Sequence, residues 1–530
     1  MKTVRIFEVA RLDTVSGFCL VTGLMFTRFS FITLVVAAAA HAEVKLPTII
    51  SNHMVLQQKQ ENPIWGWDAP ETKVTVTFAG QTQSAVAGSD GKWLVKLAPL
   101  PANATPQVLT VSGSTKCEVN DVLVGEVWMC SGQSNMGFAL RADWNGDLEA
   151  EASRLPLLRL INVPEKGTQK LETHFEGEWK ASTPETALSF SAVGFLFARY
   201  VHQTLQVPVG VIDTSWGGAP AEAFVRRSTL DADARFKSIK ESAETMEAKL
   251  LPDNGEADFA KATAAFEKAK AAKNAGARPP RRWLEERSRP GNIFGGMIHP
   301  VVGYGMKGVI WYQGEANAGR AWEYAALFPF LITEWRREWQ QGDFPFYWVQ
   351  LADFMAEDPT QTDSGWAELR ESQSKTLALP NTGQAVIIDL GEGKDIHPRN
   401  KHDVAARLAR WALAKDYGLK FPYRSPEFKS VAFAGAKATI TLDCFGSRLR
   451  AFDVEEPRGF IICGADKVWH PAKGKIVGTN TVELTSEHVA EPIAVRYAWA
   501  NNPVCNLYSN DGLPVTPFRT DDFEMTTKPK

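Results

Sequence analysis

Residues 125–136, GEVWMCSGQSNM, predict the central element of the fold. The first half of this segment is an apolar run typical of a buried strand, and the second half is a small, glycine-containing turn. We expect a helix to begin directly after the turn, which would leave the Ser134 hydroxyl exposed on a tight strand-to-helix turn. Backbone amides at the helix start could then hold an oxyanion beside a serine nucleophile. A serine in this position can equally act only as a helix N-cap.

The same alternation of strands and helices continues around this segment, from residue 121 to about 420. Apolar runs predict strands at 122–129, 157–163, 209–213, 308–311, 346–350 and 385–390. Helical periodicity predicts helices at 192–206, 324–339, 367–377 and 403–417. This order favours an α/β domain at 121–420, in which a parallel sheet flanked by helices carries any active groups at the carboxyl ends of its strands.

The flanking regions have the pattern of β modules. Residues 43–120 contain short alternating strands, such as 74–78 and 91–97, separated by turn residues. This pattern predicts an N-terminal β-sandwich module. Residues 421–530 return to short strands, for example 438–442 and 493–497, and predict a C-terminal β module.

One segment of the middle domain, at about 231–290, is rich in Ala, Lys and Glu. It predicts a helical hairpin inserted between two strands of the sheet. The hairpin could form a lid or a partner surface, or it could be a solvated excursion without a role in the site.

The N-terminus has the features of a secretory signal. Residues 29–40 are apolar, follow Arg28, and end in the cleavage pattern Ala40-His41-Ala42. We expect cleavage after about Ala42, a start codon at Met25, and a secreted or periplasmic protein. The apolar stretch is too short for stable membrane insertion.

Composition excludes some classes of partner. The chain of 530 residues has 58 basic and 61 acidic side chains, for a net charge of −3, so we expect no nucleic-acid partner. The 17 tryptophans suit sugar stacking and core packing alike. The composition gives no indication of the oligomeric state.

Five cysteines follow the signal without zinc-site spacing, and one bridge among Cys444, Cys463 and Cys505 is conceivable.

A second chemical segment is DIHPRNK at residues 395–401. His397 lies on a loop after a predicted strand, with Asp395 two residues away. Such a pair can serve as the base of a serine hydrolase and the carboxylate that orients it. A metal site formed by Asp395, His397 and His402 is an alternative, although no H-E-x-x-H helix supports it.

Two further strand ends carry polar groups. The run GVIWYQGEAN at 308–317 ends in Gln313, Glu315 and Asn317, and a side-chain amide there could donate to an oxyanion, or simply cap the loop. The run DTSWGG at 213–218 ends in two glycines that allow close approach of a backbone N–H. Cys130 is an alternative nucleophile, but its place on the predicted strand indicates a buried and inert thiol.

Together these runs resemble the sialate O-acetylesterase family of SGNH-type hydrolases. The resemblance rests on GEVWMCSGQSNM, GVIDTSWGGAPAEAF, NIFGGMIHP, GVIWYQGEAN and DIHPRNK, and it extends into both β modules through 88–100 and 495–521. It therefore covers nearly all of 43–525 except the helical insertion. The pattern departs at Ala316, where the family usually has Ser or Thr.

The resemblance implies a role for each matched residue. Ser134 would be the nucleophile, His397 the base, and Asp395 the acid that orients it, although a Ser–His dyad without Asp395 is also known in such families. The oxyanion hole would comprise the Ser134 amide, a glycine amide at Gly217 or Gly218, and the Gln313 side chain. Candidate substrate-binding residues are Gln133, Asn135, Trp216, Glu315 and Asn317.

The implied activity is removal of O-acetyl groups from carbohydrates through an acetyl-enzyme, without a metal or organic cofactor. O-acetylated sialic acids are the expected substrates, and plant-wall glycans such as xylan or xyloglucan are an alternative. A non-catalytic glycan-binding protein is an alternative of a different class.

Overall fold

A computed structural model of the protein describes residues 43–250, 253–274, 279–358 and 363–529. The predicted signal segment and the alternative start at Met25 lie outside these residues. The strands, in chain order, are β1 Val55–Gln57, β2 Asn62–Trp67, β3 Lys73–Phe78, β4 Gln81–Val86, β5 Lys92–Leu97, β6 Asn103–Ser112, β7 Lys116–Gly132, β8 Leu155–Asn162, β9 Lys180–Ser182, β10 Val209–Asp213, β11 Gly308–Tyr312, β12 Phe346–Val349, β13 Thr382–Ala385, β14 Glu427–Ala434, β15 Lys437–Asp443, β16 Leu449–Ala451, β17 Phe460–Cys463, β18 Trp469–Pro471, β19 Lys473–Ile476, β20 Thr481–Thr485, β21 Ala494–Tyr497, β22 Leu507–Ser509 and β23 Phe518–Arg519. The α-helices are α1 Gly146–Glu151, α2 Pro184–Leu188, α3 Ala192–Leu205, α4 Arg227–Ala232, α5 Lys237–Leu250, α6 Glu256–Ala271, α7 Ala321–Trp339, α8 Gly365–Lys375 and α9 Lys401–Lys415.

The central sheet has the strand order β13-β12-β11-β7-β10-β8-β9. Neighbouring strands from β13 to β8 are parallel, and β9 pairs antiparallel with β8 at one edge. Strands buried on both faces of a parallel sheet read as continuous apolar runs, which is why the sequence indicates most of them. The predicted α/β class is confirmed, with a sheet that is mixed because β9 pairs antiparallel with β8 and β6 pairs antiparallel with β7.

The two faces of this sheet are covered by different helices. Trp128 and Cys130 of β7 pack in one core with α3 and α9, whereas Val127 and Met129 pack in another with α7. Because successive side chains of a strand point to opposite faces, each face requires its own layer of helices. The four predicted helices correspond to α3, α7, α8 and α9, and each begins within three residues of its predicted start.

Strand β7 links the central sheet to the N-terminal strands. Its first half pairs antiparallel with β6, and its second half pairs with β10 and β11. Asp121 has a φ of 55° at a shift in the β6–β7 register, and its carboxylate accepts hydrogen bonds from Arg159. Such a bulge bends a strand and changes its twist. The predicted boundary between residues 120 and 121 thus falls within one continuous strand.

The flanking regions are built of short strands, as the sequence predicts. In the N-terminal region β3 pairs with β4 and β6, β2 pairs with β5, and β1 lies parallel to β7. In the C-terminal region one sheet has the order β14-β15-β20-β19 and another the order β18-β17-β21-β23, while β16 pairs with β22.

The predicted strand at 385–390 is wrong over most of its length. Strand β13 ends at Ala385, and residues 386–390 form no ladder. Their apolar character has another cause, because Val386 and Ile388 pack against the C-terminal sheets while Ile387 packs in the core with α9. A segment wedged between two cores has the same apolar pattern as a buried strand.

The predicted helical insertion is present between β10 and β11 as helices α5 and α6. Helix α5 buries Ile239, Ala243 and Leu250, whereas α6 buries no side chain. Of the two helices, α5 is therefore the one that packs against the domain.

The five described cysteines are free thiols, so the conceivable bridge among Cys444, Cys463 and Cys505 is not formed. In the described part of the chain, no helix combines the length and apolar sequence needed to cross a bilayer.

Candidate active site

Three neighbouring strands, β10, β7 and β11, end at the same edge of the central sheet. The turn after β7 begins at Gly132, which has a φ of +131°. A Cβ at this position would lie 2.2 Å from the carbonyl oxygen of Tyr312, so only glycine fits between the two strands. This close approach places the next residues, including Ser134, at the carboxyl edge of the sheet.

The helix expected directly after Ser134 is not formed, and that prediction is corrected. Residues 134–136 make one turn, in which the amides of Met136 and Gly137 donate to the carbonyl oxygen of Gln133. The chain then extends, and Ala139 bridges to Ser191. A helix macrodipole therefore contributes nothing at Ser134, and an anion there must rely on individual amides.

Ser134 and His397 are in direct contact. His397 Nε2 lies 2.8 Å from Ser134 Oγ, although 263 residues separate them in the chain. His397 lies on the loop between β13 and α9, and Phe138 stacks on its ring with centroids 6.5 Å apart. This is the geometry by which an imidazole can take a proton from a serine hydroxyl.

Asp395 lies close to His397 but does not hold it tightly. Its Oδ1 is 3.5 Å from His397 Nδ1 and accepts a 2.9 Å hydrogen bond from the His397 backbone amide. The Asp395 side chain is 55% exposed. A carboxylate so exposed interacts weakly with its partner because water screens the charge.

The two candidate glycines of the 213–218 loop differ in position. A Cβ on Gly217 would lie 3.5 Å from Ser134 Cβ, whereas one on Gly218 would lie 3.0 Å from Nε of Arg287. In the described residues, neither the Ser134 amide nor the Gly217 amide donates a hydrogen bond to another protein group. These two amides are therefore available to an oxyanion beside Ser134.

Gln313 differs from its predicted role. Its Nε2 donates to Ala219 O at 3.3 Å and to Asn317 Oδ1 at 2.7 Å, and its Oε1 accepts from the Tyr324 hydroxyl at 3.0 Å. Both N–H groups of the amide already have acceptors, so the side chain has no donor left for an oxyanion. Gln313 instead joins β11 to the 213–221 loop.

The predicted substrate-binding residues mostly face inward. Gln133 Oε1 accepts from the amides of Gly314 and Ala316, and Asn317 donates to Glu222. Trp216 is also buried, and the guanidinium of Arg281 lies 4.7 Å from its ring centroid. These side chains are therefore not placed to contact a substrate. They connect the loops that surround Ser134.

Asn135 is the centre of a buried polar cluster that also contains Glu315 and Lys401. Its Nδ2 donates to Glu315 Oε1 at 2.6 Å and to the carbonyl oxygen of Ile396 at 2.9 Å. Lys401 Nζ donates to Asn135 Oδ1 at 2.6 Å. Burial lowers the pKa of Lys401 to about 7 and raises the pKa of Glu315.

The sequence predicts no role for Lys401, although its position at the start of a helix is unusual. A lysine at the first residue of a helix is electrostatically unfavourable, because the helix N-terminus carries partial positive charge. Lys401 occupies this position in α9, and its ammonium lies 4.7 Å from the ring centroid of Phe138. An unfavourable charge at a helix start indicates a specific interaction elsewhere.

The sequence offers two alternatives to the serine site, a Cys130 nucleophile and a metal site. Cys130 is buried as predicted, and burial raises the pKa of its thiol well above the usual value, which disfavours the thiolate that a nucleophile needs. His402 Nδ1 lies 2.9 Å from the Tyr200 hydroxyl. Among the residues that the structure describes, no three His, Cys, Asp or Glu side chains are grouped closely enough to hold a metal ion.

Comparison with known proteins connects this geometry to a family. A family model for a carbohydrate esterase, sialic acid-specific acetylesterase, matches residues 281–413. The sialate O-acetylesterases of Mus musculus and Homo sapiens are each 29% identical to the chain, over 92% and 89% of it and over 97% and 92% of their own lengths. The crystal structure of a carbohydrate acetylesterase from Xanthomonas citri is 37% identical, with a TM-score of 0.76, over 91% of this chain and 100% of that chain. This likeness over nearly the whole length shows that the chain belongs to the sialate O-acetylesterase family of carbohydrate esterases and is an ester hydrolase.

Proposed function

We propose that this protein is an exported serine esterase that removes O-acetyl groups from carbohydrates through an acetyl-enzyme, with O-acetylated sialic acids as its principal substrates. The observation that carries the proposal is the 2.8 Å contact between Ser134 Oγ and His397 Nε2 at the carboxyl edge of the sheet. The two unengaged amides of Ser134 and Gly217 beside it support an acyl-transfer site.

The reaction follows from these groups. Ser134 Oγ attacks the acetyl carbonyl carbon while His397 Nε2 accepts the hydroxyl proton. The amides of Ser134 and Gly217 stabilise the oxyanion of the tetrahedral intermediate. When this intermediate collapses, the sugar oxygen leaves with the proton from His397. Water then attacks the acetyl-enzyme with His397 again as the base, which releases acetate and restores Ser134.

The substrate assignment is supported by the relatives. The mammalian relatives are named sialate O-acetylesterases, whereas the name of the Xanthomonas citri relative specifies only a carbohydrate. Acetate release from a panel of O-acetylated sialic acids, acetylated xylan and acetylated xyloglucan fragments tests the choice. The proposal expects the highest kcat/KM for a sialic acid, and a clear preference for xylan or xyloglucan would overturn it.

We also propose a domain architecture and a cellular location for the protein. An SGNH-type catalytic domain occupies 121–420, with a β-sandwich module at 43–120 and a β module at 421–530. Export rests on the signal sequence ending at about Ala42. N-terminal sequencing of the secreted or periplasmic protein should begin near Glu43, and a cytoplasmic protein with an intact leader would contradict export.

Hydrolysis of p-nitrophenyl acetate tests the serine mechanism. Ser134→Ala and His397→Ala should each lower kcat by about 10³-fold or more, because the two residues act as a unit. The neighbouring Ser131→Ala, a buried change in β7, is the matched control for the Ser134 substitution. If Ser134→Ala retained more than a few per cent of wild-type kcat, the nucleophile assignment would be wrong. Binding of acetylated glycan without any hydrolysis by wild type would favour a non-catalytic binding protein.

A further inference from the structure

A cavity of about 440 Å³ lies between α5 and the loops that follow β10 and β11. Gly218, next to the oxyanion candidate Gly217, forms part of its wall, and Ala316 forms another part. A Cβ added to Gly217 would lie 3.5 Å from Ser134 Cβ, and the Ala316 amide donates to the side chain of Gln133. Both loops that border the cavity are therefore the loops that border Ser134.

The opposite wall of the cavity belongs to the helical insertion. Ser238, Ser242 and Met246 of α5 line the cavity at a spacing of four residues, which puts them on one face of the helix. The adjacent Ile239 and Ala243 are buried, and they hold this face against the domain. The insertion thus faces the catalytic edge of the sheet.

Ion pairs fix α5 in this position. The carboxylate of Glu247 accepts hydrogen bonds from Arg227 at 3.0 Å and from Arg289 at 3.1 Å. The Ser238 hydroxyl donates to Glu323 of α7. Links of this kind at both ends of the helix make its inner face a preformed wall, as ligand sites usually are.

The chemistry of the wall fits a sugar ring. Trp283 supplies an indole ring, with the Arg289 guanidinium 5.3 Å from its centroid, Ser242 and Ser288 supply hydroxyl groups, and Arg320 supplies a guanidinium held by Glu222. A pyranose presents apolar C–H faces and a rim of hydroxyls, so it is bound by an aromatic surface together with several hydrogen-bonding groups. The volume lies in the range of about 300–1,000 Å³ that is usual for small-molecule sites.

We propose that this cavity binds the sugar ring that carries the ester, and that α5 of the insertion determines which acetylated sugars reach Ser134. The inference rests on the proposed esterase function. It gives the insertion a role in specificity, in place of the lid, partner surface or solvated excursion expected from the sequence.

A tryptophan placed in the cavity tests the assignment. Ser242→Trp should obstruct the sugar ring in the cavity, whereas an aryl acetate has no sugar ring to place there. The measured quantity is kcat/KM for the preferred acetylated sugar divided by kcat/KM for p-nitrophenyl acetate. We expect this ratio to fall about 30-fold or more, since filling a sugar site removes several contacts at once. Ala248→Trp, on the exposed side of the same helix, is the matched control and should leave the ratio as in wild type.

A smaller change guards against misfolding. Trp283→Ala should lower the same ratio by about 10-fold through loss of the indole surface. Melting temperatures of all variants are recorded alongside the kinetics. If Ser242→Trp and Trp283→Ala fold and keep the wild-type ratio, the sugar is bound elsewhere and this inference is wrong. Failure of wild type to hydrolyse either ester, or full activity of Ser134→Ala, would instead overturn the proposed function.

Discussion

Nζ of Lys401 lies 2.6 Å from Oδ1 of Asn135, the residue that follows Ser134. Nδ2 of the same amide donates to the carbonyl oxygen of Ile396, the residue before His397. One side chain therefore joins the serine turn to the histidine loop, and a buried lysine orients it. The 2.8 Å contact between Ser134 and His397 depends on two loops that are far apart in the chain, and this link contributes to their separation together with the hydrogen bonds from Arg399 to Ala142 and from Lys401 to Asp143.

Asn135→Ala should reduce catalysis without removing any reacting group. Losing the link lets the histidine loop move relative to Ser134, and a misplacement of about 1 Å can cost on the order of 10²-fold in rate. We expect kcat for p-nitrophenyl acetate to fall about 10- to 100-fold with KM little changed. Asn103→Ala in β6 is the matched control. A KM effect without a kcat effect would favour the predicted substrate-binding role of Asn135.

Lys401→Met should flatten the dependence of stability on alkaline pH. Burial lowers the pKa of Lys401 to about 7, and the charged groups that face it are Glu315, Asp143, Asp395 and Glu392. Above pH 7 the folded protein holds this amine neutral while the unfolded chain keeps it protonated up to about pH 10.4. The unfolded state then binds more protons, so the free energy of unfolding rises with pH.

The measurement is urea unfolding of wild type and Lys401→Met between pH 7 and 9.5. The wild-type free energy of unfolding should gain about 1 kcal/mol per pH unit relative to the variant. The comparison cancels all other groups that titrate equally in both proteins. Parallel curves would mean that Lys401 stays charged in the folded state.

Asp395→Asn should have a mild effect. At 3.5 Å from Nδ1 and largely in solvent, the carboxylate contributes less to an imidazolium than the buried aspartate of a tight triad does. We expect kcat to fall less than about 30-fold, compared with about 10⁴-fold for the corresponding change in a buried triad. High salt should lower wild-type kcat toward that of the variant. A loss of 10³-fold or more would establish Asp395 as a full triad member.

Gly217→Ala and Gly218→Ala should separate a kinetic effect from a structural one. A methyl group on Gly217 fits at 3.5 Å from Ser134 Cβ but enters the space that the acetyl group needs. We expect kcat/KM to fall about 10- to 100-fold at an unchanged melting temperature. Gly218 has a φ of +72°, so alanine there should destabilise the protein by about 1 kcal/mol. Equal kinetic losses at both positions would contradict the assignment of the oxyanion amide to Gly217.

The sequence predicts the parts of this fold whose pattern is local. Strands buried on both faces are continuous apolar runs, and helices that cover them repeat every three to four residues, so β7, β10, α3 and α9 are recognisable. Residues 386–390 show where the approach fails, because the apolar residues of that segment serve two cores without forming a ladder. An apolar run of this length can form either a buried strand or an irregular segment that packs between two cores.

The candidate site is predictable in its types of residue but not in their orientations. Gln313 is a plausible donor in its loop, yet its two N–H groups are taken by the carbonyl oxygen of Ala219, on a different loop, and by the side chain of Asn317. Lys401 likewise acquires its role only when α9 packs beside Glu315. Hydrogen-bond partners are set by tertiary packing, and for that reason the buried cluster around Asn135 is a finding of the structure alone.

Asp213→Asn should stabilise the protein at neutral pH. Burial raises the pKa of Asp213 to about 6, while its carboxylate accepts a 2.9 Å hydrogen bond from the Ser215 amide. The unfolded chain releases this proton near pH 4, so between pH 4 and 6 the folded state binds more protons and stability falls as pH rises. Asparagine keeps the acceptor without the buried charge. We expect a gain of about 2 kcal/mol in the free energy of unfolding at pH 7.5 that disappears below pH 4. The exposed Asp147→Asn controls for the exchange itself, and a gain of constant size from pH 4 to 8 would show that it does not arise from the titration of Asp213.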